Sequence, residues 1–97
     1  MAPPANGWKN KGGTGSRSCS CGTWKQHWLN FAKKTWPLQC SVYGCSNPPT
    51  LGGHIVNPSY KGEHIVPLCD ECNRYTRVFD LKNGVTLVSS NKSETCG

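Results

Sequence analysis

Two close pairs of cysteines are the residues of this chain whose types and spacing best fit a chemical role. Four residues separate Cys40 from Cys45, and two residues separate Cys69 from Cys72. Each pair can act as a two-pronged thiolate ligand, and the segment between the pairs can fold back to bring them together, as in a tetrahedral zinc site. The sequence therefore predicts one zinc ion held by these four sulfurs.

A disulfide framework is the alternative use of these thiols. Nothing after Met1 resembles a signal peptide, because residues 2–6 lead into no apolar stretch, and no window approaches membrane-spanning length. We therefore expect an intracellular protein with reduced thiols and no membrane association, with secretion as the open alternative. The odd number of cysteines, seven, also argues against a fully paired framework.

The remaining cysteines and the histidines offer a second set of metal ligands. Cys21 precedes a tryptophan-rich segment that contains His27, and Cys96 is the penultimate residue. Two sulfurs and two nitrogens form a stable tetrahedral set. The candidate second zinc site is formed by Cys21, His27, His54 and Cys96. A disulfide from Cys96 to Cys21 or Cys19, or free thiols, are the alternatives.

Length and composition favour a metal-dependent fold. The chain has 97 residues, of which 35% are hydrophobic. Residues 1–18 contain three basic residues, no acid and no apolar run, so we expect a disordered basic tail followed by a single zinc-binding domain over 19–97. A domain of about 80 residues rarely folds on a hydrophobic core alone and usually needs a metal or disulfides. We expect this domain to be monomeric.

Residues 23–34 are predicted to form a helix. Thr23 and Gln26 have the spacing of a capping box, and Pro37 ends the segment. Aromatic side chains recur near helical spacing at Trp24, Trp28, Phe31 and Trp36. A small domain buries its tryptophans when it can, so we expect this stripe to face the core.

A near-repeat predicts a β-hairpin. Residues 52–56 and 62–66 share the pattern Gly-x-His-Ile-Val, and the spacer between them is rich in turn residues. A register centred on that turn places His54 opposite Ile65 and Ile55 opposite His64. The period of two then puts the two histidines on opposite faces of the hairpin, where they cannot share one site.

Two more elements complete the predicted fold. Residues 69–76 should form a short helix that opens with the second cysteine pair, with Asp70 and Glu71 in its first turn. Residues 78–81 and 85–88 flank Asn83-Gly84, which is the strongest short hairpin signal. The expected fold class is α+β, with a Trp-rich helix before the metal-binding segment and a C-terminal β-hairpin after it.

Residues 40–76 resemble a known class of zinc domain. A cysteine knuckle, a β-hairpin and a helix that opens with Cys-x2-Cys resemble the treble-clef zinc fingers, and among these the HNH (ββα-metal) endonucleases. The residues that carry the resemblance are the knuckle cysteines, His54 on the first strand and the run Leu68-Cys69-x2-Cys72-Asn73. The resemblance covers under half of the chain.

The resemblance implies a catalytic arrangement from which this sequence departs. It implies that His54 is a general base that activates water and that Asn73 lies near a catalytic metal. The family usually has an aspartate before this histidine, but Gly53 occupies that position, and His64 replaces the central asparagine. A Mg²⁺ site without its carboxylate is poorly supplied with ligands, so the resemblance implies the scaffold more than the activity.

Three functions follow from these features. The formal net charge of +6 falls to about +4 when four thiolates bind one Zn²⁺, which still favours a polyanionic partner. The first hypothesis is therefore a zinc-stabilised module that binds nucleic acid phosphates. Its candidate contacts are Lys25, Lys33, Lys34, Arg74 and Arg77. The alternatives are an HNH-like nickase that uses His54, and a protein-interaction or effector-type module with exposed tryptophans as anchors.

Overall fold

The computed structural model describes residues 4–12 and 21–91. Its elements in chain order are β1 (Lys9–Asn10), α1 (Trp24–Ala32), β2 (Leu51–Asn57), β3 (Tyr60–Leu68), α2 (Asp70–Asn73) and β4 (Val88–Ser89). The four strands form one antiparallel sheet in the order β1-β2-β3-β4. The fold class is α+β, as predicted. Neither helix of the described residues has the length and apolar character that a bilayer-spanning segment needs.

The β2–β3 hairpin has the predicted register. His54 pairs with Ile65, and Ile55 pairs with His64. The side chain of Asn57 accepts a hydrogen bond from the backbone N–H of Ser59 at 2.9 Å, which stabilises the turn. Because neighbouring residues point to opposite faces of a strand, this register divides the hairpin into two differently packed faces.

Each face of the hairpin covers its own hydrophobic cluster. On one face, Ile65 packs with Trp28 of α1 and Val88 of β4. The cluster on the other face contains Trp8, Cys40, Ile55, Val66, Leu68, Cys69, Phe79 and Leu81. The sheet therefore separates a helix-covered core from a core that contains two of the metal-site cysteines.

Helix α1 is capped by Thr23, as the sequence predicts. The Thr23 hydroxyl accepts a hydrogen bond from the Gln26 N–H at 3.1 Å. The Gln26 side-chain amide also donates to the side-chain oxygen of Asn30 at 2.8 Å, one turn further along the helix. The helix ends where Lys33 adopts a left-handed conformation, with φ of 56°. Trp28 is buried, as expected for the core stripe, but Phe31 is 39% exposed.

The first turn of α1 lies directly on β2. A Cβ atom at Gly52 would lie 2.6 Å from the carbonyl carbon of Trp24, a separation that real Cβ atoms do not reach. Only glycine permits this approach of helix to strand. Gly52 therefore sets the distance between α1 and the sheet.

The segment 4–12 is part of the fold, which corrects the expectation of a disordered tail over residues 1–18. Trp8 is fully buried, and its indole N–H donates to the Pro4 carbonyl at 2.7 Å. Trp8 and Phe79 exchange two backbone hydrogen bonds of 3.0 and 2.8 Å. The composition of the segment predicts disorder, but one large aromatic side chain anchors it in the core. The rest of residues 1–18 lies outside the described residues.

The predicted C-terminal hairpin is wrong. Asn83 and Gly84 do form a turn, and Gly84 has a φ of +81°. The runs on either side of this turn pair with other elements, since Phe79 bridges to Trp8 and Val88 pairs with Ile65. Long-range partners override the local turn signal because they complete the sheet and both clusters.

Replacement of Trp8 by alanine should destabilise the zinc-loaded protein by about 3–5 kcal/mol, the usual cost of deleting a buried tryptophan. Urea unfolding at a fixed zinc concentration measures the change. Lys11→Ala is the matched control, because this side chain is exposed in the same segment and its loss should change stability by less than about 0.5 kcal/mol. Equal stability of both variants would contradict the packing of the N-terminal segment.

Candidate metal centre

The two predicted cysteine pairs meet at the end of the hairpin where β2 begins and β3 ends. The ligand atoms of Cys40, Cys45, Cys69 and Cys72 all lie within 4.8 Å of one another, and the four are free thiols. The sulfurs of Cys45 and Cys69 are 3.8 Å apart. Tetrahedral zinc with Zn–S bonds of about 2.3 Å places its sulfurs about 3.8 Å apart. The four side chains therefore fit one metal ion, as the spacing predicts.

A tight turn presents the first pair. The N–H of Cys45 donates to the Val42 carbonyl at 3.1 Å, and the N–H of Cys40 donates to the Asn47 carbonyl at 2.8 Å. Gly44 takes a φ of +85°, which a glycine adopts at little cost. These contacts close the knuckle so that both sulfurs face the same point.

Helix α2 presents the second pair. Cys69 is the N-cap of the helix, and its sulfur accepts a hydrogen bond from the backbone N–H of Cys72 at 3.4 Å. The N–H of Cys69 in turn donates to the sulfur of Cys40 at 3.5 Å. Backbone N–H donors place partial positive charge beside sulfur and so favour the thiolate form that binds metal. Cys69 and Cys72 therefore belong both to the start of helix α2 and to the candidate metal site.

Burial and hydrogen bonding separate the pKa values of the thiols. Burial raises the pKa of Cys40. Burial also acts to raise the pKa of Cys69, but hydrogen bonds from the Cys72 backbone and from the other thiols outweigh it and lower the pKa to about 7. Burial, with hydrogen bonds to the neighbouring sulfurs, raises the pKa of Cys72. Without metal, Cys69 is therefore the first of these three to ionise.

A lysine and an asparagine support the site from outside the ligand set. The Lys82 ammonium donates to the carbonyl of Cys45, and the Asn47 amide lies 3.9 Å from the sulfur of Cys69. Four thiolates on one divalent ion carry about two excess negative charges, which a nearby cation offsets. Sequence analysis missed Lys82 because it is 37 residues from Cys45 and belongs to no motif.

The candidate second set of ligands is only partly assembled in the described residues. The sulfur of Cys21 lies 3.8 Å from Nδ1 of His27. His54 packs edge-on against Trp24, with ring centroids 4.4 Å apart. Among residues 4–12 and 21–91, only the four-cysteine cluster brings three or more such ligand atoms together. The structure thus brings Cys21 close to His27, but it does not bring His54 into one ligand cluster with them. Cys96 lies outside the described residues.

The residues of the implied catalytic arrangement point to different faces of the hairpin. His54 is 5% exposed and lies on the face covered by α1. A Cβ atom at Gly53, on the other face, would meet Leu68 at 2.3 Å and Asn73 Oδ1 at 2.9 Å. No room therefore exists at position 53 for the carboxylate that a hard metal site needs.

The five basic residues predicted to contact phosphates lie in two different environments. Lys25 lies over the Trp36 ring at 4.8 Å, and Lys34 donates to the Thr86 hydroxyl at 2.7 Å. Lys33 is exposed at the end of α1. Arg74 and Arg77 are exposed beyond α2.

No protein-family model, curated protein or solved structure was found to match this chain.

Cys72→Ser should remove the metal from the four-cysteine cluster, because a serine hydroxyl is a poor zinc ligand at neutral pH. We expect one zinc ion fewer per chain by native mass spectrometry and loss of the near-ultraviolet dichroism of the buried tryptophans. Binding of structural zinc contributes directly to folding, by about 10–16 kcal/mol in small zinc domains. Ser46→Ala is the control, since Ser46 is exposed between two knuckle residues. Native zinc content in Cys72→Ser would contradict the assignment.

The zinc affinity of this cluster should fall as the pH falls from 8 to 5. Burial raises the pKa of Cys40 and of Cys72, so both are protonated in the metal-free protein and must lose protons on binding. Two such protons imply a loss of roughly a hundredfold or more in affinity per pH unit. Competition with a colorimetric chelator at several pH values measures this slope. A flat profile would mean that the thiols are not the ligands.

Proposed function

We propose that this chain is a small zinc-stabilised binding module, with a treble-clef-like segment over residues 40–76, that contacts single-stranded nucleic acid. The four-cysteine cluster supports the zinc scaffold. The single observation that carries the nucleic acid proposal is a shallow groove of about 210 Å³ beside the cluster, lined by two exposed tyrosines.

The two tyrosines are suited to base stacking. Tyr43 is 73% exposed and Tyr75 is 48% exposed, and both line the groove. The Tyr43 N–H donates to the Asp80 carbonyl at 2.9 Å, and this hydrogen bond holds the backbone of Tyr43 in place. An aromatic ring on a rigid support can stack on any base, which gives affinity without sequence preference.

Two exposed arginines lie close in the chain to Tyr75, which lines the groove. Arg74 and Arg77 flank Tyr75 in the chain, are exposed, and form no ion pair within residues 4–12 and 21–91. The amide of Asn10 donates to the carbonyl of Tyr75 at 2.8 Å, which brings the backbone of Lys9 and Lys11 beside the end of α2. One acid, Asp80, lies in the groove lining. The Arg74 and Arg77 side chains are the basic patch that phosphates would contact, whereas Lys9 and Lys11 alternate with Asn10 and so lie on the opposite face of β1.

The basic patch differs from the contacts expected from sequence. Lys25 and Lys34 are engaged by Trp36 and Thr86, so the α1 lysines are secondary candidates. The arginines beyond α2 remain the central contacts of the proposal.

Fluorescence anisotropy with single-stranded oligonucleotides at several salt concentrations tests this proposal. Tyr43→Ala should weaken binding by about 5- to 150-fold, the effect of losing one stacked base, whereas Tyr43→Phe should retain it. Arg74→Ala should lower the slope of log affinity against log salt by about 0.7, as expected for one lost phosphate contact. Salt-independent binding, or no binding by the folded zinc-loaded protein, would contradict the proposal.

Lys61→Ala is the matched charge control for Arg74→Ala. Lys61 is exposed near the turn between β2 and β3, at the opposite end of β3 from the cysteine cluster. The Lys61→Ala substitution removes one positive charge, as Arg74→Ala does, but roughly 20 Å along the strand from the cysteine cluster. An equal loss of affinity in both variants would point to bulk charge and would contradict a defined patch.

The protein-interaction alternative has one observation in its favour. Val78 is 63% exposed and lies in the same groove lining, which gives the surface an apolar component. The tryptophan anchors expected for such a module, Trp24, Trp28 and Trp36, give it little support, since Trp28 is buried and the other two are half-buried against the same cluster. A partner protein bound there would depend on Val78 and Tyr43 with little salt dependence.

A further inference from the structure

A second groove lies between the linker over residues 34–41 and the turn over residues 82–86. Its volume is about 520 Å³, against about 210 Å³ for the groove that Tyr43 and Tyr75 line, and the two grooves share no lining residue. Clefts that bind ligands typically measure about 300–1,000 Å³. The second groove is therefore a candidate binding site separate from the one proposed for nucleic acid.

Hydrogen bonds hold both walls of this groove. The N–H of Lys82 donates to the carbonyl of Ser41 at 2.9 Å, which ties the turn to the linker. The indole N–H of Trp28 donates to the carbonyl of Thr86 at 2.9 Å, which ties the other end of the turn to α1. A groove with fixed walls needs little further ordering when a ligand binds, and this lowers the entropic cost of binding.

The exposed apolar surface of the groove is aliphatic. Leu38 is 90% exposed, and Pro37 and Val85 also line the groove. Trp28 belongs to the lining as well, but it is only 3% exposed and offers no ring face on which a base could stack. Apolar surface with polar residues around it is typical of protein contacts. The lining thus favours an aliphatic side chain over a nucleic acid base.

Two lysines and no acid line the groove among the described residues. Lys34 donates to the Thr86 hydroxyl at 2.7 Å, and Lys82 donates to the Gln39 side-chain oxygen at 3.2 Å and to the Cys45 carbonyl. These acceptors are neutral, and an ammonium group has three donors, so Lys34 can also bind a carboxylate. Lys82 lies beside the zinc thiolates, which offset its charge, so Lys34 is the principal cation.

We propose that this groove binds a peptide segment of a partner protein in which an aliphatic side chain lies next to an acidic one. The aliphatic side chain packs on Leu38, and the carboxylate pairs with Lys34. A second copy of this chain is a poor occupant, because the formal net charge of +6 makes two copies repel each other. The proposal does not depend on nucleic acid binding, because the two grooves have different linings.

Selection from a displayed library of random peptides, against the immobilised zinc-loaded full chain, tests this proposal. The peptides that bind this chain but not its Leu38→Ser variant should be enriched in aspartate or glutamate next to leucine, isoleucine or valine. Failure to enrich any peptide, or enrichment of basic peptides, would overturn the proposal.

Fluorescence anisotropy with one selected peptide then assigns the contacts. Leu38→Ala should weaken binding by about tenfold, as expected for an interface anchor. Lys34→Gln should weaken it by about three- to tenfold at low salt and by less at high salt. Val78→Ala and Lys61→Gln are the matched controls, since they remove an exposed apolar side chain and an exposed charge elsewhere. Equal losses in the controls would contradict a defined site. All four side chains are exposed, and zinc content confirms that each variant folds.

Two further measurements separate the peptide from other occupants. In amide NMR spectra, the peptide should shift the Val85 and Thr86 signals and leave that of Tyr43 unchanged, whereas a shift confined to Tyr43 would overturn the proposal. Sedimentation should show a monomer at all concentrations. A dimer that disappears in Leu38→Ala would make a second copy the occupant. Oligonucleotide binding should be unchanged in Leu38→Ala, so that failure of either proposal can be recognised separately.

Discussion

Convergence of four sulfurs at one end of the β2–β3 hairpin constrains the arrangement of the rest of the chain. The knuckle contributes Cys40 and Cys45, and the start of α2 contributes Cys69, which also caps that helix. The N–H of Ser41 donates to the carbonyl of Pro67, so a backbone hydrogen bond also attaches the knuckle to β3. One metal can thereby fix a turn, a strand end and a helix start at once. This multiple attachment suits a small domain, because the apolar core of a small domain contributes limited stability.

The two faces of the β2–β3 hairpin carry different groups of side chains. One face carries Ile55 and supports the cysteine cluster, while the other carries His54 beneath α1. A register shift of one residue would exchange these faces and bring each side chain into the wrong core. The four-cysteine cluster thus depends on the pairing of His54 with Ile65 as well as on the cysteine spacing.

The sequence was sufficient for features set by local spacing. The cysteine pairs, the Thr23 cap and the hairpin register all follow from residues close together in the chain. The sequence was insufficient for elements whose pairing depends on residues far away in the chain. Nothing near Trp8 indicates that it pairs with Phe79, and Asn83-Gly84 indicates a hairpin that its flanking runs do not form. The groove between Tyr43 and Tyr75 forms only when the knuckle lies beside the end of α2. Because neither tyrosine belongs to a sequence motif, the sequence did not predict this groove.

The short outer strand β1 has a practical consequence for handling the protein. Lys9 and Asn10 pair with Val56 and Ile55 and so occupy hydrogen-bonding groups at the free edge of β2. A recombinant fragment trimmed to begin at the cysteine-rich region would uncover that edge together with the hollow left by Trp8. Uncovered strand edges recruit other chains, so such a fragment would tend to self-associate and precipitate during purification.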